Sequence, residues 1–103
     1  MTVAELPVRL DREELADFCR ARGIRRLSLF GSVLRDDFDP SRSDVDVLAE
    51  FNQGALDGVG FRYMRYAEEL SEILERKVDF CSRLNPHIEP IVRKEALEIY
   101  EQA

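Results

Sequence analysis

No stretch of this 103-residue sequence approaches the roughly 18 apolar residues that a membrane span needs, and its first residues form no signal-peptide apolar region. A soluble chain is the expectation. Cysteine is scarce: Cys19 and Cys81 stand far apart inside otherwise apolar patterns, without metal-ligand spacing or a disulfide framework. That favours buried, reduced thiols in a cytoplasmic protein. Positive charge is also short. With 15 basic against 21 acidic side chains the net charge is −6, which argues against nucleic acid as a direct ligand and suits a basic protein partner. Internal repeats, low-complexity tracts and linkers are lacking, and the length suffices for one domain over residues 1–103 with one modest core.

What is present reads as alternating helices and strands. Asp11, with Glu14 three residues on, forms a capping-box pattern, and Leu15, Phe18 and Cys19 follow at helical spacing until Gly23 ends the helix. Arg26 to Phe30 reads as a short strand stopping at Gly31-Ser32, and a polar, turn-rich segment leads to a second strand, Asp44 to Phe51. Asn52 to Gly60 carries three glycines and reads as a mobile loop, expected to flank the functional site together with the Arg35–Arg42 turn. Phe61, Met64, Ala67, Leu70 and Leu74 predict an amphipathic helix packed through that stripe on a sheet. Lys77 to Cys81 reads as a third strand. Asn85-Pro86 opens a last helix with Ile88, Ile91, Val92 and Leu97 inward, and Ile99-Tyr100 suits a short edge strand. The fold class is α/β (α+β type): a small mixed β-sheet with helices mainly on one face.

Three features of this chain carry chemistry. Alternation along the second strand puts Asp44 and Asp46 on one face, with α-carbons roughly 6.6 Å apart. Two carboxylates so close repel, and a hard divalent cation such as Mg²⁺ removes that cost. Alone, such a pair reads more readily as a solvated strand face. Gly31-Ser32, directly after a strand, lets backbone N–H groups and a hydroxyl approach phosphate oxygens, more so if Ser32 starts a short helix; alone it is a tight turn. Asp79, between Val78 and Phe80, is out of place in an apolar strand unless it joins Asp44 and Asp46 or sits on an exposed edge.

In combination, Gly31-Ser32, eleven residues, Asp44-x-Asp46 and a later strand Asp79 resemble the DNA polymerase beta-type nucleotidyltransferase superfamily. The stretches Leu29 to Phe38, Ser43 to Leu48, Lys77 to Asp79 and Ile99 to Glu101 are similar, more narrowly, to the stand-alone minimal nucleotidyltransferases of prokaryotes. The eleven-residue spacing is one longer than the family's usual ten, an insertion falling in the Asp39–Arg42 turn. The resemblance implies a polymerase beta-like core in which Gly31 and Ser32 hold the β- and γ-phosphates of ATP or another NTP. Asp44 and Asp46 would ligate the nucleotide-bound Mg²⁺, and all three aspartates a second Mg²⁺ that activates an acceptor hydroxyl. Arg35, with its planar donor fork, is a candidate triphosphate contact, and Ser43, beside Ser41 and Arg42, a candidate nucleotide contact. His87 reads as a helix-end residue. Larger relatives carry added acceptor-binding domains, so a lone domain is expected to take its acceptor from a partner. Proteins resembling this one are commonly antitoxins that attach AMP to a tyrosine of a HEPN-type RNase toxin. A non-catalytic module that masks its partner by contact, and a small-molecule (aminoglycoside-type) nucleotidyltransferase, stand as alternatives.

Overall fold

The computed structural model describes residues 8–34, Asp39 and residues 44–102. Helix α1 (Arg12–Arg22) starts where expected: the Asp11 carboxylate accepts from the Glu14 backbone N–H, and Gly23, in the left-handed region at φ 71°, donates its N–H to the Cys19 carbonyl. The expected capping box is half used, because the Glu14 carboxylate accepts from the Arg9 guanidinium instead. Leu15, Phe18 and Cys19 are the buried residues of α1.

Strand β1 (Ile24–Phe30) follows at once and runs into a 3₁₀ turn over Gly31–Leu34. Strand β2 (Val45–Phe51) pairs antiparallel with β1. A 3₁₀ turn (Gly60–Arg62) leads into α2 (Tyr63–Leu74), which crosses over so that β3 (Val78–Cys81) lies parallel to β2. A short helix, α3 (Glu89–Glu95), precedes β4 (Leu97–Glu101), which pairs antiparallel with the other side of β1. The sheet order is β3-β2-β1-β4. It is the mixed sheet expected, with β4 longer than the Ile99-Tyr100 pair that announced it.

The two faces of the sheet differ in character. On one, Leu27, Leu29, Val45, Val47, Ala49 and Val78 are buried with Leu15, Phe18, Cys19, Tyr66, Leu70 and Leu74 of α1 and α2. On the other, alternation along β2 places Asp46, Leu48 and Glu50. Helix α3 reaches that second face through Arg93, whose guanidinium donates to Glu50 Oε1 at 2.6 Å.

Three expectations need correction. The inner side of α2 is Tyr66, Leu70 and Leu74, whereas Phe61 and Met64 are 89% and 71% exposed. Helix α2 proper starts at Tyr63, so Phe61 lies in the preceding 3₁₀ turn, whose residues advance by a different angle. Likewise α3 starts at Glu89 with Pro90 in its first turn. Ile88 and Ile91 point to solvent, and Leu97 belongs to β4. His87 stands in the turn before α3, its N–H donating to Asn85 Oδ1. The Asn52–Gly60 segment is a succession of turns, Ala55 N–H to Asn52 O, Asp57 N–H to Gly54 O and Val59 N–H to Leu56 O. It is anchored at the Gly23 end of β1 by the Asn52 N–H donating to the Gly23 carbonyl, so it does not flank the aspartates.

Candidate functional site

The aspartates meet at the other end of the sheet. Asp46 is the register partner of Phe30 across the antiparallel β1–β2 pair and of Asp79 across the parallel β2–β3 pair. Paired residues in adjacent strands share a face and stand roughly 4.8 Å apart, so register alone sets the Asp46 and Asp79 side chains next to each other. The tie is firm, because the Val45 N–H donates to the Lys77 carbonyl at 2.8 Å just ahead of both. Asp44 stands immediately before β2 and is half-buried, as is Asp46, while Asp79 is exposed on edge strand β3.

Gly31 completes this corner. It follows Phe30 with φ 75°, and a Cβ built on it would lie 2.3 Å from Asp46 Oδ2 and 3.3 Å from Asp46 Cγ. The Asp46 carboxylate therefore occupies the space a side chain at 31 would need, and only glycine satisfies both the dihedral and the contact. The backbone of Ser32 lies in the 3₁₀ turn that starts at Gly31. The Ser32 side chain, Arg35 and Ser43 lie outside the described residues.

The charge of the corner is felt nearby. Burial pushes the Cys81 thiol up from its ordinary value, and the negative charge of Asp79 and of Asp46 adds to that effect. Both carboxylates thus act on the second face, as alternation requires. Among the described residues, no three Asp, Glu, His or Cys side chains close on a common metal-ligating position. The donor chemistry nevertheless fits a hard cation. Asp44, Asp46 and Asp79 offer oxygen only, Asp46 and Asp79 are already adjacent, and Asp44 is two residues from Asp46 along one chain.

Sequence reasoning missed what lies next to this corner. A cleft of ≈ 270 Å³ is lined by Leu48, Glu50, Ser82, Arg83, Leu84, Glu89 and Arg93. Glu50, 8% exposed, ion-pairs with Arg93 at 2.6 Å, with Arg26 at 3.6 Å and with Arg25 at 3.8 Å. Hydrogen bonds to Glu50 and Glu89 hold the Arg93 guanidinium above its ordinary value. Period-two alternation from Asp44 would have placed Glu50 on the aspartate face, but its arginine partners come from β1 and α3 and leave no local signal.

The nucleotidyltransferase domain model matches residues 12–101. Among solved structures, a mutant form of the toxin-antitoxin pair MntA-HpeT is similar in fold at 15% sequence identity, with a TM-score of 0.57 over 90% of this chain and 75% of that chain. A comparison with curated protein sequences gives no match.

Proposed function

The chain belongs to the nucleotidyltransferase domain family, and on that premise we propose that it transfers a nucleoside monophosphate, AMP from ATP, to a hydroxyl of a partner protein. The observation carrying this reading is the corner where Asp46 lies in register with Asp79 and rests on Gly31. The backbone N–H groups of the Gly31–Leu34 turn hold the β- and γ-phosphates, with the Ser32 hydroxyl, Arg35 and Ser43 as further contacts. Asp44, Asp46 and Asp79 would hold two Mg²⁺ ions, which when bound neutralise the triphosphate and acidify the acceptor hydroxyl. Asp46 lies between the turn and Asp79, so it faces the α-phosphate, and exposed Asp79 meets the acceptor from the open edge of the sheet. The acceptor oxygen bonds to the α-phosphorus, the bond to the β-phosphate oxygen breaks, pyrophosphate leaves with that electron pair, and the hydroxyl proton passes to Asp79.

The acceptor we propose is a tyrosine of a HEPN-type toxin, with the chain as its antitoxin. The fold neighbour belongs to a toxin-antitoxin pair, and the net charge of −6 steers a basic protein toward this one. Co-expression with such a toxin, followed by mass spectrometry of tryptic peptides, tests it. AMP-sized increments on a tyrosine that vanish with Asp46→Asn are the expected result. A toxin that stays unmodified while its activity is masked would replace this reading by masking through contact.

A further inference from the structure

We propose that the cleft between β2, the Ser82–Leu84 segment and α3 is the nucleobase subsite, with Arg83 stacking on the base. The inference rests on the nucleotidyl-transfer reading and adds where the nucleoside lies and how it is selected.

In-line displacement puts the leaving and attacking oxygens on opposite sides of the α-phosphorus. On the nucleotidyl-transfer reading the leaving pyrophosphate would lie over the turn after β1 and the attack would come over Asp79 on β3, an axis that runs across the strands. Ribose and base leave that axis to one side, and along the strands the cleft offers them a place. In that direction the next residue of β2 on the same face is Leu48, about 7 Å from Asp46, and beyond it the cleft opens. Arg83 stands two residues past the end of β3 and four past Asp79, so it lies within about 13 Å of it, the reach of a ribose and a base.

Its lining suits a flat, uncharged ring system. Leu48 and Leu84 supply apolar walls. Two arginines reach it, but only one is available: Arg93 is engaged by Glu50 and Glu89, whereas Arg83 is exposed and makes no hydrogen bond or ion pair among the described residues. A planar guanidinium stacks on an aromatic face without needing a matched edge. The segment carrying it is held in place, because the Tyr63 hydroxyl donates to Ser82 Oγ at 2.7 Å. The carboxylates of Glu50 and Glu89, which could otherwise read base edges, are both turned to Arg93. Recognition therefore comes from stacking, which every base offers, and selection among bases is weak.

The test compares a ligand with a base and one without. Isothermal titration of the full chain with ATP, GTP and inorganic tripolyphosphate, each with Mg²⁺, is repeated on Arg83→Ala and on Lys94→Ala, which removes an exposed charge from α3. Arg83→Ala should weaken ATP and GTP roughly tenfold each and leave tripolyphosphate unchanged, while Lys94→Ala alters none of the three. ATP and GTP should differ by no more than a few-fold on the wild type. Equal weakening of tripolyphosphate would make Arg83 a phosphate contact and overturn the inference. Unchanged ATP affinity in Arg83→Ala would overturn it too, and would leave the cleft to the acceptor if transfer fell alone. If neither ATP nor tripolyphosphate binds the wild type, the nucleotidyl-transfer reading itself fails, a result distinct from either of these.

Discussion

Replacing Gly31 by alanine separates a backbone effect from a site effect, because a second glycine supplies the control. Gly31 and Gly58 have nearly the same dihedral, φ 75° and 71°, so alanine at either meets the left-handed penalty of about 1–2 kcal/mol. Reduced freedom of the unfolded chain offsets about 0.4–1 kcal/mol of it in both. The surroundings differ. A Cβ at 58 meets nothing within 4 Å, whereas at 31 it lies 2.3 Å from Asp46 Oδ2. The Asp46 carboxylate must swing away or β1 and β2 must part, a packing insult of about 1–3 kcal/mol. Gly58→Ala should therefore lower Tm by roughly 4–8 °C and Gly31→Ala by about two to four times that. Calorimetric binding of Mg-ATP gives the second readout. Gly58→Ala should bind as wild type, while Gly31→Ala, with its carboxylate displaced from the phosphates, should lose tenfold or more. Equal Tm losses in the two variants, or wild-type Mg-ATP affinity in Gly31→Ala, would refute the reasoning.

Other perturbations have equally definite outcomes. Asp46→Asn removes a charge from a crowded acidic corner, so in EDTA its Tm should match or exceed that of wild type, while the gain in Tm on adding Mg-ATP should disappear. Burial pushes the Cys19 thiol up to about 12, and outweighs the opposing charge of Arg22. It should resist dithionitrobenzoate at pH 8 until the chain is unfolded. Because its folded pKa lies above the unfolded value near 9, the stability it confers is complete below pH 9 and is lost as pH rises toward 12, a decline that Cys19→Ala should flatten in urea titrations. Leu70→Ala should cost about 2–5 kcal/mol in the same assay, whereas Phe61→Ser should stay within about 0.5 kcal/mol.

Much of the fold and of the aspartate corner was legible because it depends on local rules. Asp11 and Gly23 mark the ends of α1 through hydrogen bonds made within one turn, and the alternation of β2 follows from its own residues. The convergence of Asp46 and Asp79 needed one further premise, that the two strands are neighbours, and the apolar residues flanking each invited it. What stayed hidden depends on phase or on distant partners. A 3₁₀ turn ahead of α2 takes Phe61 out of the apolar stripe, and two steps of three residues carry Met64 about 120° round the helix from Leu70. Glu50 looks like any strand-end acid until Arg26 and Arg93 arrive from other elements to make its burial tolerable. The cleft floored by Leu48 has no sequence signature, since its walls come from three separate segments.

The parallel pairing of β2 with β3 has a consequence for when the chain can act at all. Asp46 and Asp79 belong to strands joined only through the α2 crossover, while Gly31 and Asp46 belong to the simpler antiparallel pair. Loop closure over the longer segment is the slower event, and the four-residue edge strand β3 is the easier one to lose by local opening. If the proposed function holds, a nascent or fraying chain would keep the Gly31 turn while lacking Asp79, and so would hold nucleotide without transferring it. On the proposed reading, transfer would therefore wait on the β2–β3 pairing, whereas the turn beside Gly31 would not.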